Sequence, residues 1–117
     1  MANRVDGRKL GRQGGHRIAL FRNLTVSILR YERIKTTEAK AKEVQGRVER
    51  MITLAKRSDL AARRAVIAEF PNEPLVVKKL FDEIAPKYAD RQSGYTRIIR
   101  IGQRPGDAAE IVQIELV

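Results

Sequence analysis

Six basic side chains lie near the N-terminus of this chain, against a single carboxylate, that of Asp6. They are Arg4, Arg8, Lys9, Arg12, Arg17 and Arg22. An arginine presents a planar fork of N–H donors that matches a phosphate group, and neutralising the phosphates of a nucleic acid releases its condensed counterions. These residue types at this spacing therefore favour binding to a nucleic acid, although a solvated basic tail would have the same composition.

The segment that carries most of these cations has little with which to build a core. Its glycines include Gly7 and Gly11, and almost no aliphatic side chain precedes Ile18. Such a segment cannot bury enough apolar surface to offset the entropy lost when its backbone is ordered. We therefore predict an extended basic arm over residues 1–14, which becomes ordered on binding, followed by one folded domain over residues 15–117.

The chain of 117 residues carries a formal net charge of +10, and this charge is unevenly distributed. Residues 1–35 contain nine basic and two acidic side chains, whereas residues 36–117 contain fifteen and twelve. The N-terminal third should therefore meet a polyanionic partner first. No cysteine is present, which excludes disulfides and thiolate metal sites. No apolar run approaches the ~20 residues needed to span a bilayer, so we expect no membrane partner.

The side chains needed for catalysis are scarce. His16 is the only histidine, and no carboxylate lies near it in the sequence to complete a nucleophile–base arrangement. No metal-ligand spacing is present around His16, because the sequence has no second histidine and no cysteine. The residues therefore give little support for an enzyme or for a small-molecule substrate. His16 is expected to contact RNA or to cap the first helix.

The apolar spacing predicts two helices in the first half of the chain. The first should begin at Gly15 or His16, with a core face formed by Phe21, Leu24, Ile28 and Tyr31. The second should follow a cap at Thr36 or Thr37. Its core positions are Val44, Val48, Met51, Ile52 and Ala55. Gly46 lies inside this helix and should destabilise it by up to ~1 kcal/mol relative to alanine. The glycine either permits another helix to approach closely or is merely tolerated.

Two further helices are predicted in the second half. One should run from Leu60 to Phe70 after a cap at Ser58, before the break at residues 71–74. The next should end at Pro86, since proline disrupts a helix interior, and a loop should follow over residues 86–94. Its core positions are Val77, Leu80, Phe81 and Ile84.

Three short segments have the alternation or the β-branched composition of strands. They are residues 33–36, 95–103 and 110–117. The last two should pair as an antiparallel hairpin around a type II turn at residues 104–107, with proline second and glycine third. The predicted order is α-β-α-α-α-β-β. This order describes an α+β fold in which helices cover one face of a three-stranded sheet.

Several polar side chains outside the arm are further candidates for contacts with phosphate. Arg22, Asn23 and Arg30 would extend the basic surface along the first helix. Lys40 and Lys42 lie in the first turns of the second helix, where the helix dipole disfavours cations, and so hint at an external anion. On the hairpin, Arg97 could equally be an ordinary surface charge. Tyr95 is the one aromatic side chain retained as a candidate contact, because no aromatic strand typical of base-stacking proteins is present.

Four blocks of the sequence follow one another in a characteristic order. They read GRKLGRQGGHRIALFRNL, IKTTEAKAKEV, ITLAK and LFDEIAPKYADRQSGYTRIIRIGQRPGDAAEIVQIELV. In this order they resemble the bacterial large-subunit ribosomal protein L17 family. The resemblance implies a two-layer α/β sandwich with a small mixed sheet. It also implies a structural role in translation, without catalysis or a cofactor, in the large ribosomal subunit in the cytoplasm. The implied partners are large-subunit ribosomal RNA and neighbouring ribosomal proteins near the nascent-peptide exit tunnel.

The resemblance also indicates, position by position, which residues face RNA. The first block matches the family at Arg8, Lys9, Arg12, His16, Arg17, Arg22 and Asn23, and the second at Lys35, Thr36, Thr37, Lys40 and Lys42. Contacts of this kind mostly position a protein on RNA and carry little sequence information. Two other classes stay open, an architectural DNA-binding protein and an RNA-processing enzyme.

Overall fold

The computed structural model describes the backbone of residues 14–117 and the side chains of residues 18–117. Its first elements are α1 (Gly14–Tyr31), β1 (Arg33–Thr37), α2 (Glu38–Arg57) and α3 (Leu60–Glu69). Next comes α4 (Pro74–Lys79), which continues through a π-helical turn (Leu80–Ile84) into α5 (Ala85–Lys87), so that residues 74–87 form one continuous helix. The strands β2 (Thr96–Gln103) and β3 (Glu110–Leu116) complete the predicted α-β-α-α-α-β-β order. Residues 1–13 of the predicted arm lie outside the described residues.

Within the described chain the sheet has three strands in the order β1-β3-β2, and both neighbouring pairs are antiparallel. The predicted hairpin of β2 and β3 is confirmed. The mixed sheet that the resemblance implied is wrong. Because β3 lies between β1 and β2, the two strands that run in the same direction never pair with each other.

The register aligns one row of isoleucines across the sheet. Ile34 of β1 pairs with Ile114 of β3, which pairs with Ile98 of β2. All three belong to or pack against the hydrophobic core, and Ile114 is fully buried there. Buried residues of α1 and α2 belong to the same core, so these helices cover this face of the sheet. The alternate residues lie on the other face, where Ile99 is 41% exposed.

The buried stripe of α1 differs from the predicted one. It runs through Phe21, Thr25, Ile28 and Leu29. The hydroxyl of Thr25 donates to the carbonyl of Phe21 at 2.7 Å, which satisfies this buried polar group. Tyr31 was predicted in the core but is 62% exposed, because the stripe turns toward Leu29 and leaves the last residue of the helix to one side.

The core positions of α2 are those that the spacing predicts. Val44, Val48, Met51, Ile52 and Ala55 are all buried, together with Ala41. A Cβ built on Gly46 would meet no atom within 4 Å among the described residues. Gly46 therefore does not serve a close helix approach in the described fold.

Replacing Gly46 with alanine should stabilise the protein by up to ~1 kcal/mol, because alanine loses less backbone entropy than glycine in a helix. For a domain of this size, such a gain raises Tm by roughly 4 °C, which a thermal melt followed by circular dichroism would detect. Gly94→Ala is the control, because the φ of +69° at Gly94 disfavours any side chain, and this variant should melt at a lower temperature. A Gly46→Ala variant that melts no higher than the parent would contradict the prediction.

Asp59, not Ser58 as predicted, caps α3. Its carboxylate accepts a hydrogen bond from the backbone N–H of Ala62 at 2.7 Å. This bond lowers the pKa of Asp59, because it stabilises the charged form, and a hydrogen bond from Arg57 acts in the same direction. Ser58 instead ends α2 in the left-handed conformation. Thr37 occupies the predicted cap position of α2, but its side chain makes no capping hydrogen bond.

The fourth helix continues past Pro86, where the sequence predicted its end. The N–H of Ala85 donates to the carbonyl of Leu80, five residues earlier, in a π-helical turn. Pro86, which has no N–H to donate, lies directly after this turn, and the helix ends one residue later at Lys87. Tyr88, predicted in a loop, is buried, and its hydroxyl donates to the carbonyl of Val117 at 2.7 Å.

The turn between β2 and β3 contains the predicted glycine conformation but is longer than a type II turn. Gly106 has a φ of +101°, and the N–H of Ala108 donates to the carbonyl of Arg104 at 3.0 Å. The turn therefore closes one residue later than predicted. Arg104 also donates to Asp107 at 2.7 Å, and this hydrogen bond, together with a second from the backbone N–H of Ala109, lowers the pKa of Asp107 to about 2.

Candidate nucleic-acid interface

The predicted contacts of the arm cannot be placed in the fold. Arg4, Arg8, Lys9 and Arg12 lie outside the described residues. The backbone of His16 and Arg17 belongs to α1, but their side chains are also outside what the structure describes. These six positions therefore stay predictions from the sequence.

The exposed basic surface of the described chain begins on α1. Arg22, Asn23 and Arg30 are all exposed, as their position away from the buried stripe predicts. The guanidinium of Arg30 lies 5.3 Å from the ring centre of the exposed Tyr31. The basic surface continues on β1, where Lys35 is exposed.

Arg33 is not among the residues predicted to bind RNA, yet it is also exposed on β1. Side chains two residues apart in a strand point to the same face, so Arg33 and Lys35 lie side by side. The two-residue period of this strand was the signal that could have identified Arg33.

The cations of residues 18–40 differ from those of residues 41–117 in their ion pairs. The former are Arg22, Arg30, Arg33, Lys35 and Lys40, and none of them pairs with a carboxylate of the described residues. Among the fourteen cations of residues 41–117, eight form such pairs: Lys42, Arg47, Arg57, Lys79, Lys87, Arg97, Arg100 and Arg104. Positive charge without an internal counterion is thus concentrated on α1, β1 and the start of α2.

The start of α2 supports the predicted anion contact only in part. Lys42 lies 3.6 Å from Glu38, which also pairs with Arg100 at 2.9 Å. The positive charge of Lys42, which the helix dipole disfavours, is therefore balanced by Glu38 within the chain. Lys40 is half-buried and, as above, has no such partner, while Thr36 and Thr37 are both half-buried.

Tyr95 is not a surface contact, so the prediction that it touches RNA is wrong. Its side chain is fully buried, and its hydroxyl donates to the carbonyl of Gln92 at 2.8 Å. The same hydroxyl oxygen lies 3.1 Å from the ammonium of Lys56, and the ring packs against Tyr88 at 5.2 Å between ring centres. Strand alternation predicted Tyr95 on the same side as Arg97, but the strand begins only at Thr96.

Arg97 is exposed on β2 but is held by a carboxylate. Its Nε donates to Glu115 Oε2 at 2.6 Å. The other oxygen of Glu115 accepts from the amide of Gln113, also at 2.6 Å. These hydrogen bonds, Arg97 first and Gln113 second, lower the pKa of Glu115, and the charges of Arg97 and Arg33 act in the same direction. Glu115 is therefore ionised at neutral pH. The sequence alone could not suggest this group, because it depends on strand register.

The comparison with known families decides what class of protein carries this surface. The sequence profile of the family described as Ribosomal protein L17 matches residues 20–117. The chain belongs to the ribosomal protein L17 family. This family is not enzymatic, so the prediction that the chain is not an enzyme is confirmed by its membership.

Three relatives in the L17 family cover nearly the whole chain, and each is named Large ribosomal subunit protein bL17. The protein of Desulfitobacterium hafniense (strain DSM 10664 / DCB-2) is 63% identical over 110 residues, which are 94% of this chain and 97% of the relative. The protein of Thermoanaerobacter sp. (strain X514) is 61% identical with the same coverage. The protein of Trichlorobacter lovleyi is 56% identical over 117 residues, which are 100% of this chain and 94% of the relative.

Two further findings concern what this L17 family chain contains. Residues 14–117 include no helix that is long and apolar enough to cross a membrane. The described side chains also form no group of three or more histidines, cysteines and carboxylates that could hold a metal ion.

Proposed function

We propose that this chain is a structural constituent of the large ribosomal subunit and binds large-subunit ribosomal RNA. The contacts are the basic arm and the exposed basic side chains of α1, β1 and the start of α2. The single observation that carries the proposal is the group of cations in residues 18–40 without an internal counterion. RNA phosphates supply the charge that these side chains lack within the described chain. The names of the relatives support the ribosomal setting.

In this proposal the arm and the folded domain have different tasks. Arg4, Arg8, Lys9 and Arg12 follow the phosphate backbone on an extended chain, and His16 and Arg17 continue this path at the start of α1. The arm becomes ordered only on RNA, while the domain docks and sets its direction. A location near the nascent-peptide exit tunnel, beside other ribosomal proteins, rests on the family resemblance of the sequence blocks.

Binding to structured RNA and to duplex DNA at matched salt concentrations tests this function. The full chain is titrated against a transcript of bacterial large-subunit ribosomal RNA and, separately, against duplex DNA of equal nucleotide content. We expect tighter binding to the RNA at every salt concentration, because the chain belongs to a family of ribosomal proteins. Equal or tighter binding to the DNA would favour the architectural alternative and contradict the proposal.

A further inference from the structure

The face of the sheet opposite the helices is strongly basic, and no described helix covers it. Strand alternation and register place eight side chains on this outer sheet face: Arg33, Lys35, Thr37, Arg97, Ile99, Ile111, Gln113 and Glu115. Three of them are cations and one is a carboxylate. Arg33, Lys35 and Arg97 are exposed, whereas Glu115 in the central strand is buried.

The carboxylate on the outer sheet face is shielded from an incoming ligand. Glu115 pairs directly across the sheet with Arg33 on one side and Arg97 on the other. Both of its oxygens already accept hydrogen bonds, and its side chain is only 12% exposed. The outer sheet face therefore presents mainly positive charge to solvent.

Only one edge of the Arg97 guanidinium group is hydrogen-bonded within the described residues. Its hydrogen bond to Glu115 uses Nε, and the side chain is still 60% exposed. The two terminal nitrogens of its fork have no hydrogen-bond partner among residues 18–117. An arginine whose orientation is already set loses less side-chain entropy when it binds a phosphate.

We propose that the RNA contact of β1 extends across the outer sheet face to Arg97 of β2, and that Glu115 is a positioning residue for Arg97. Glu115 holds Arg97 so that its terminal nitrogens, together with Arg33 and Lys35, meet phosphate groups. This inference rests on the proposed function, which supplies RNA as the polyanion. The choice of phosphate follows from charge complementarity. No aromatic side chain lies among these eight, so the face does not stack on bases.

Whether one substitution strengthens or weakens RNA binding distinguishes a positioning role of Glu115 from a purely electrostatic one. Glu115→Gln raises the net charge by one unit, so a purely electrostatic role predicts tighter RNA binding. If the charge of Glu115 positions Arg97, the same substitution weakens binding by roughly three- to tenfold, because the amide oxygen of glutamine still accepts from Arg97 Nε but makes a weaker, uncharged hydrogen bond. In an Arg97→Met background no arginine is left to position, and Glu115→Gln should then leave the affinity unchanged or raise it.

The experiment uses the full chain and a transcript of bacterial large-subunit ribosomal RNA over a series of salt concentrations. Arg97→Met should weaken binding and reduce the slope of log affinity against log salt by roughly 0.7–0.9, as expected when one phosphate is no longer neutralised. Arg97→Lys is the second test and alters only an exposed side chain. It keeps the charge but not the fork, so it should also weaken binding if the geometry matters.

The outcomes distinguish this inference from the proposed function. A Glu115→Gln variant that binds RNA more tightly in both backgrounds would overturn the positioning role. Unchanged affinity in Arg97→Met would overturn the outer sheet face as an RNA contact, as expected if an acidic protein covers it instead. In either case the proposed function stands as long as the parent chain binds the transcript and neutralising the arm weakens that binding. A parent chain that does not bind the transcript would contradict both this inference and the proposed function.

Discussion

Neutralising Arg8, Lys9, Arg12 and Arg17 together to glutamine is expected to flatten the salt dependence of RNA binding. The magnitude of the slope of log affinity against log salt should fall by up to roughly 3.5, at about 0.7–0.9 for each phosphate that the variant no longer neutralises. The physical reason is the uneven charge, with nine basic and two acidic side chains in residues 1–35. The measurement is the affinity for a large-subunit ribosomal RNA transcript between roughly 50 and 200 mM salt.

The matched control removes the same number of positive charges from residues that already have carboxylate partners. These are Arg47, Arg57, Lys87 and Arg104, which pair with Glu69, Asp59, Glu32 and Asp107. If both quadruple variants flatten the slope equally, only the net charge matters, and the arm is not the anchor. The described core residues begin near Phe21, so the arm variant should also melt at the temperature of the parent.

Replacing Ile114 with alanine is expected to lower the free energy of unfolding by about 2–5 kcal/mol, the usual range for truncating a buried isoleucine. Ile114 is fully buried in the central strand, between Ile34 and Ile98 of the neighbouring strands. Its truncation leaves a cavity between the sheet and the helices that the surrounding side chains fill only in part. Denaturation by urea, with the slope of the transition compared between variant and parent, measures the change.

Ile99→Ala provides the comparison, because the residue type and the sheet are the same but the face is different. Ile99 is 41% exposed on the outer sheet face, so its truncation should cost less than about 1 kcal/mol. A one-residue slip of β2 against β3 would reverse the faces, because strand side chains alternate. Equal losses for the two variants would therefore refute the register.

The sequence alone determined the family, the order of the elements and most of the core. The blocks from GRKLGRQGGHR to the C-terminus identified the L17 family, which the family profile and the relatives confirm. The four- and three-residue steps in α2 predicted its buried residues correctly, and so did Val77, Leu80, Phe81 and Ile84 of the fourth helix. These features are local, since the period of a helix or strand is fixed by residues that lie within a few positions of one another.

The tertiary structure decided what depends on residues far apart in the chain. It placed β3 between β1 and β2, buried Tyr95 and left Tyr31 exposed. It also determined which cations find a carboxylate, as Arg97 finds Glu115 across the hairpin. Strand order, burial and ion pairing depend on how distant segments pack together. The composition and spacing of residues within a segment do not show which other segments it contacts. The sequence therefore shows how many basic residues a segment contains. Only the fold shows which of these residues lack a carboxylate partner and so are available to RNA phosphates.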